Sequence, residues 1–299
     1  MSKFFKALEQ AEREQALKNL GRRQESKASS AAPRAPAASQ QDPPPARMLV
    51  AAEPPAAHSD GVEEHLVSLL APTSMEAEQY RAIRHIVEQL HKTAELSVIA
   101  ITSPTVGDGK TTTAINLAGA LAQAPEARVL LVDADLRRST VASHLGLSDS
   151  GGPGLVDTIL APGLSLEDVA RRRPPFNLSV LPAGRGLASP YELLKSARLG
   201  ELLEEARRRF DYIVVDTPPL VPFPDCRVIG KWVDGFLVVV AAHKTPRNLL
   251  EEGLSVLDPE KIAGFVFNCD DQPLSGYYYS SAQSPDGDRA GWWARTFKR

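Results

Sequence analysis

The amino-acid sequence predicts an α/β fold in which helices flank a mostly parallel sheet. Three observations support this prediction: short apolar runs of strand length, helix-like stretches between them, and a linker and a C-terminal tail that lack both patterns. Continuous apolar strands that alternate with helices are typical of a parallel sheet that is buried on both faces. The predicted strands are Ser97–Thr102, Val129–Asp133, Leu178–Leu181, Tyr212–Asp216, Phe236–Ala241 and Ile262–Asn268.

Helical patterns fill the intervals between these strands. We expect helices at Thr111–Gln123, Pro190–Arg209 and Asn248–Leu257. Ser189 is a suitable N-cap for the second helix, and Pro190 takes its first position. The N–H that proline lacks would have no hydrogen-bond partner within the helix at that position. One α/β domain over residues 62–270 accounts for all of these elements.

The two ends of the chain have a different composition from the middle. Residues 1–23 are expected to form an amphipathic helix, which is either solvated and frayed or docked on a partner or membrane. Residues 24–61 are rich in Pro, Ala and Ser and are predicted to be a disordered linker, because they cannot bury enough apolar surface to offset their entropy. Residues 271–299 are predicted to be a flexible tail.

The charge balance narrows the classes of function. The chain has 34 Lys and Arg against 37 Asp and Glu, a net charge of -3, which gives no sign of a nucleic-acid binder. No apolar run approaches the ~18 residues that span a bilayer, and the start of the chain does not resemble a signal peptide. We therefore expect a cytoplasmic protein that reaches a membrane only through a partner or a surface helix.

The first predicted strand leads into the loop SPTVGDGKTT at 103–112, and a helix follows. Strand, glycine-containing loop and helix are the order of a phosphate-binding P-loop, although Pro104 stands where the strict pattern has its first glycine. Loop N–H groups and the Lys110 ammonium would hold phosphate, and the Thr111 hydroxyl would bind Mg²⁺. The predicted nucleotide-binding residues are Gly107, Asp108, Gly109, Lys110, Thr111 and Thr112.

Acidic residues end two of the predicted strands. Asp133 and Asp135 follow one apolar run and Asp216 closes another. Ligands of open α/β sheets lie beyond the carboxyl ends of the strands, so these aspartates are expected to converge on the phosphate loop and Mg²⁺. A single aspartate in this position is usually a cap, but three behind one P-loop indicate metal ligands and a candidate base.

Three motifs together resemble a known family. SPTVGDGKTT (103–112), LLVDADLRR (130–138) and YIVVDTPP (212–219) are similar to those of the bacterial tyrosine kinases of capsule and exopolysaccharide synthesis, which are P-loop NTPases related to the MinD and ParA ATPases. The resemblance covers residues 62–270. The MinD and ParA ATPases carry a signature lysine five residues before the P-loop lysine, and Thr105 occupies that position here.

The resemblance implies phosphoryl transfer from ATP to tyrosine. Lys110 and the loop amides would bind the β- and γ-phosphates, and Thr111 with Asp133 or Asp216 would hold Mg²⁺. Asp135 or Asp133 would orient or deprotonate the phenol. The implied enzyme is a non-receptor protein-tyrosine kinase, with ATP hydrolysis alone as the fallback.

The resemblance also implies assembly of a homo-oligomeric ring. Glu78, Arg81 and Arg84 match the ExxRxxR helix motif through which this family forms rings. Their spacing places them on one helical stripe, where they would pair with a neighbouring subunit in a head-to-tail contact. The alternative is a solvated Glu–Arg stripe that pairs within its own chain.

A tyrosine cluster in the C-terminal tail is the implied phosphoacceptor. Tyr277, Tyr278 and Tyr279 are consecutive, whereas the other three tyrosines fall in predicted helices or a strand and should be less accessible. The alternative is that the cluster forms an aromatic contact patch. Many members of the family need a membrane-bound polysaccharide co-polymerase, or chain-length regulator, so the resemblance implies a peripheral location at the inner face of the plasma membrane.

The sequence allows two interpretations of several features. The main rival function is a MinD- or ParA-like ATPase that acts as an ATP-switched scaffold for polysaccharide export without kinase activity. Arg137 and Arg138 either contact phosphate or acceptor, or are surface charges. Asn268, at the end of the last predicted strand, is either an adenine contact or a turn residue.

Overall fold

The computed structural model describes residues 61–147, 152–161, 163–187 and 189–270. The predicted N-terminal helix (1–23), all but the last residue of the predicted linker (24–61), and the tail with Tyr277, Tyr278 and Tyr279 lie outside these ranges. Within the described ranges, no helix has both the length and the apolar character that crossing a bilayer requires.

In the part of the chain that the structure describes, seven strands form one sheet in the order β3-β4-β2-β5-β1-β6-β7. Every neighbouring pair is parallel except β3 and β4, which are antiparallel. The mostly parallel α/β fold predicted from the sequence is therefore confirmed. The strands are β1 Val98–Thr102, β2 Val129–Asp133, β3 Arg171–Arg172, β4 Leu178–Leu181, β5 Tyr212–Asp216, β6 Gly235–Ala241 and β7 Ile262–Asn268.

Helices cover both faces of this sheet, because every strand except β3 presents apolar side chains to both sides. Val98 and Ala100 of β1 join the core on one face, and Ile99 and Ile101 join the core on the other. Helices α1 to α4 pack on the second face, and α5 to α10 on the first. The helices are α1 Val67–Leu70, α2 Met75–Ala94, α3 Lys110–Leu121, α4 Val141–His144, α5 Leu155–Leu160, α6 Leu166–Val169, α7 Pro190–Leu194, α8 Ala197–Arg207, α9 Asp225–Ile229 and α10 Arg247–Leu254.

One predicted helix and one edge strand show where the structure departs from the sequence prediction. The continuous helix expected at Pro190–Arg209 is wrong: it is two helices, since Ser196 adopts an extended backbone (φ -65°, ψ 146°) and starts α8 afresh. Strand β3 was not predicted, because a pair of arginines at the sheet edge has no apolar pattern. Ser189 does precede the helix that begins at Pro190, although its side chain makes no capping hydrogen bond.

The strand order determines where the predicted functional residues lie. Strand β5 lies between β1 and β2, so the last residues of β2 and β5, Asp133 and Asp216, are direct neighbours across the ladder. The loop that follows β1 leaves the sheet beside them and enters α3. Parallel strands thus bring three distant sequence segments to one edge of the sheet.

Candidate nucleotide-binding site

The loop between β1 and α3 has the backbone of a phosphate cradle. Gly107 and Gly109 adopt φ of +90° and +94°, a region that side chains disfavour. A Cβ at position 109 would come within 2.0 Å of the amide nitrogen of Asn268. Within the described ranges, the N–H groups of Gly107, Asp108 and Gly109 donate no hydrogen bond, so they remain available to an anion.

The Asp108 carboxylate braces this loop from inside. It accepts hydrogen bonds from the N–H (2.8 Å) and hydroxyl (2.9 Å) of Thr105, and from the hydroxyl of Thr245 (2.9 Å). The Asn268 amide donates to the Asp108 carbonyl at 3.0 Å. Asp108 therefore has only its main-chain N–H left for a nucleotide, and Asn268 lies against the loop.

Lys110 lies among the three aspartates that the sequence singled out. Its ammonium is 2.7 Å from Asp135 and 3.6 Å from Asp216. The Thr111 hydroxyl donates to the other oxygen of Asp216 at 2.7 Å. One oxygen of Asp133 accepts from the N–H of Val141 at 3.3 Å, while its second oxygen is buried with no hydrogen-bond partner in the described part of the chain.

Burial and mutual repulsion alter the protonation of these groups. Burial raises the pKa of Asp216 to about 6, although the Lys110 charge and the Thr111 hydrogen bond oppose this rise. Burial and then the charge of Asp216 raise the pKa of Asp133 well above its usual value. Burial lowers the pKa of Lys110, but Asp216 and Asp135 outweigh this effect, so its net pKa is raised. Three buried carboxylates thus face one ammonium.

This excess of negative charge fits a bound cation. Among the described residues, no group of three His, Cys, Asp or Glu side chains forms a complete metal site. Mg²⁺ does not need one, because it commonly takes one or two protein oxygens together with water and phosphate oxygens. The Thr111 hydroxyl and the oxygens of Asp133 and Asp216 that accept no hydrogen bond are suitable ligands for the cation.

Arg137 holds the segment that follows β2. Its guanidinium makes two hydrogen bonds to the fully buried Asp225 (2.5 and 3.1 Å) and lies 4.2 Å above the ring of Phe223. The main-chain N–H of Arg138 donates to Asp135 at 3.0 Å. Sequence reasoning missed Asp225, because its partner lies far away in the chain and only the fold reveals the pair.

The predicted ring motif lies on α2 and is paired within the chain. Arg84 donates to Glu88 (2.7 Å) and to the carbonyl of Ala120 (2.9 Å), in the last turn of α3. Arg81 pairs with Glu78. A guanidinium at the carboxyl end of a helix stabilises its last carbonyl groups. Arg84 therefore links α2 to the helix that starts at the phosphate loop.

The three tyrosines outside the C-terminal tail are at least half-buried. Tyr80 and Tyr191 lie in helices and are half-buried, and Tyr212 lies in β5 and is buried. All three are thus poorly accessible, as predicted. Tyr277, Tyr278 and Tyr279 lie outside the described residues, so their role as acceptors stays a prediction.

The parallel sheet, the glycine loop and the buried Lys–Asp cluster define a P-loop nucleotide-binding protein, and a family model described as an AAA domain matches residues 96–225. The tyrosine-protein kinase YwqD of Bacillus subtilis (strain 168) is 32% identical over 209 residues, which are 69% of this chain and 86% of that protein. The tyrosine-protein kinase CpsD of Streptococcus agalactiae serotype III (strain NEM316) is 31% identical over 67% of this chain and 85% of its own length. The chain belongs to the bacterial tyrosine-protein kinase family.

Solved structures agree with this family. The kinase domain of Escherichia coli tyrosine kinase ETK matches with a TM-score of 0.61 and 29% identity, over 68% of this chain and 79% of that one. The BceF tyrosine kinase domain matches with a TM-score of 0.60 and 31% identity, over 68% and 80%. Some relatives are much longer: the tyrosine-protein kinase ptk of Acinetobacter johnsonii is 34% identical, but only 27% of it is matched.

The glycine at position 109 offers a direct test of the loop geometry. Gly109→Ala would place a side chain at φ +94° and against Asn268, so the loop must move. We expect ATP affinity to fall at least about tenfold, an effect of roughly 1.4 kcal/mol, in calorimetric titration. Gly163→Ala is the matched control, since an added Cβ there meets nothing within 4 Å. Unchanged affinity in Gly109→Ala would contradict this loop conformation as the binding form.

Proposed function

We propose that this chain is an ATP-dependent protein-tyrosine autokinase whose kinase domain spans residues 62–270. The observation that carries the proposal is the Lys110 ammonium, held at the phosphate loop between Asp135 (2.7 Å) and Asp216 (3.6 Å). Membership of the tyrosine-protein kinase family supports the choice of tyrosine as acceptor. At the position of the MinD and ParA signature lysine, Thr105 is engaged with Asp108, which supports the kinase over a scaffold ATPase.

Phosphoryl transfer depends mainly on positioning and on stabilisation of charge. The N–H groups of Gly107, Asp108 and Gly109 and the start of α3, including Thr112, cradle the phosphates. Lys110 exchanges its carboxylate partners for phosphate oxygens. Thr111, with Asp133 or Asp216, holds Mg²⁺. When bound, Mg²⁺ neutralises charge on the phosphates of the substrate.

The candidate base is one of the two aspartates at the end of β2. Asp135 is occupied by the Lys110 ammonium and by the N–H of Arg138. Asp133 has a buried oxygen without a partner among the described residues and a raised pKa. A raised pKa makes a carboxylate a stronger proton acceptor. This supports Asp133 as the group that accepts the phenol proton, with Asp135 orienting Lys110.

The acceptor proposed for this activity is the cluster Tyr277, Tyr278 and Tyr279 of a neighbouring subunit in a ring. Glu78 and Arg81 support a ring contact, because their side chains are 49% and 34% exposed and can exchange an internal pair for one between subunits. Arg84 is less exposed (23%) and tied to α3, so it would transmit that contact to the phosphate-loop helix.

The setting proposed for the kinase is the inner face of the plasma membrane. By the family resemblance, it would act with a membrane-bound polysaccharide co-polymerase and regulate exopolysaccharide or capsule polymerisation and export. The net charge of -3 supports a role that does not involve nucleic acid.

Mass mapping of phosphotyrosine tests the kinase and its acceptor together. Incubated with ATP, Mg²⁺ and a candidate co-polymerase, the wild type should acquire phosphotyrosine at Tyr277, Tyr278 or Tyr279. Lys110→Met should abolish it, and replacement of all three tyrosines by Phe should abolish it while ATP binding persists. Undiminished phosphotyrosine in the triple variant would refute the acceptor assignment. A wild type that binds ATP but never acquires phosphotyrosine would favour the scaffold ATPase.

The raised pKa of Asp216 predicts a pH dependence of Mg²⁺-assisted ATP binding. With a pKa of about 6, the carboxyl is largely protonated at pH 5 and ionised at pH 7.5, and only the ionised form attracts Mg²⁺. The gain in ATP affinity from Mg²⁺ should therefore grow as the pH rises, by up to about tenfold per unit below pH 6. Asp216→Asn is the control. The titration of ATP itself affects the wild type and this variant equally, so a difference between their pH slopes reports on the Asp216 carboxyl. Identical pH slopes would contradict the assignment.

A further inference from the structure

A second concave site lies at the opposite end of the sheet from the phosphate loop. It is a cleft of about 730 Å³ at the amino ends of β2, β4 and β5, beside Arg128, Asn177 and Phe210. We call it the basal cleft. Its volume is within the range of ordinary ligand sites. The proposed kinase chemistry uses the carboxyl ends of the strands and leaves this cleft without a role.

Arginine dominates the polar wall of the basal cleft. The chain has two runs of three arginines, Arg171–Arg173 and Arg207–Arg209, and the fold brings both to this cleft. Arg172 and Arg208 are exposed, and neither guanidinium has an ion pair within the described part of the chain.

Two other arginines of the cleft are already paired. Arg128 contacts Asp211 at 2.8 Å, and Arg209 pairs with Glu167, but these pairs are partly exposed and so exchange easily with a ligand. Arg172 and Arg208 therefore supply the uncompensated positive charge. Such a pair of guanidinium groups matches a doubly charged, multi-oxygen anion.

The remaining wall of the cleft is apolar and partly aromatic. Phe176 and Phe210 are half-buried, and Pro174 and Pro175 lie beside them. An inorganic anion or a lipid headgroup would leave this surface unused. A phosphate that is carried on a flat apolar ring would use both walls, with the ring on the phenylalanine and proline side chains and the phosphate on Arg172 and Arg208.

We propose that the basal cleft binds phosphotyrosine in the tail of a second copy of this chain. The proposal rests on the proposed function, because the kinase would supply this side chain. The cleft lies three to five strands from β7 and one strand length below its end, roughly 22–29 Å from Asp270. Eight residues to Tyr278 span at most about 28 Å when fully extended, and a path around the molecule is longer. The tail of the same chain would have to be almost fully extended to reach the cleft, whereas the tail of a second copy has no such constraint.

Binding of synthetic peptides tests the proposal without any kinase activity. The protein is the full chain with Lys110→Met, which cannot phosphorylate its own tail and leaves the cleft unchanged. The probe is a labelled peptide of residues 271–284 with phosphotyrosine at position 278, measured by fluorescence anisotropy. We expect binding of this peptide and at least about tenfold weaker binding of its unphosphorylated and phosphoserine forms.

Paired substitutions locate the site. Arg172→Ala with Arg208→Ala should weaken phosphopeptide binding at least about tenfold, because each removes a charge-assisted hydrogen bond. Lys195→Ala with Arg227→Ala removes the same charge from exposed positions outside the cleft and should change little. Equal loss in both double variants, equal binding of the phosphoserine peptide, or preference for phosphatidylglycerol vesicles would each overturn the proposal. The outcome is independent of the autokinase assay, since the peptide is supplied already phosphorylated.

Discussion

Three carboxylates buried around a single ammonium are the constraint on which the rest of the molecule depends. Asp133, Asp135 and Asp216 are at most 2% exposed, and within the described ranges Lys110 is the cation that forms ion pairs with this cluster. Removing such charges from water is costly unless counter-charges meet them. The raised pKa values of Asp133 and Asp216 are the sign of that imbalance. A magnesium nucleotide would relieve it, because it brings a cation for the carboxylates and phosphates for Lys110 and the loop amides.

The fold holds this unfavourable charge arrangement in place through its strongest elements. Strands β2, β5 and β1 are adjacent at the centre of the sheet, and apolar helices cover them on both faces. Around the site, Asp108 braces the phosphate loop, Asp225 fixes Arg137, and Arg84 caps the far end of α3. None of these three contacts lies at the reacting atoms. They restrict the positions of the Lys110 and aspartate side chains. Phosphoryl transfer depends mostly on such positioning.

Much of the fold could be predicted from sequence because its signals are local. Apolar runs of four to seven residues gave six of the seven strands nearly residue for residue, and the P-loop pattern located the start of α3. Sequence patterns did not predict three features that depend on tertiary contacts. These are the break between α7 and α8, the edge strand β3, and the pairing of Arg137 with Asp225. The proximity of the two arginine runs at the basal cleft could not be predicted from the sequence for the same reason. The brace made by Asp108 and Thr245 joins residues far apart in the chain, and no pattern indicates it.

Calorimetric titration of the purified chain with ATP, with and without Mg²⁺, measures whether the buried Lys–Asp cluster binds a magnesium nucleotide. We expect measurable affinity with Mg²⁺, a loss of at least about tenfold when Mg²⁺ is chelated, and little binding in either condition for Lys110→Met. Equal affinity with and without Mg²⁺, or no affinity of the folded wild type for ATP, would contradict this expectation.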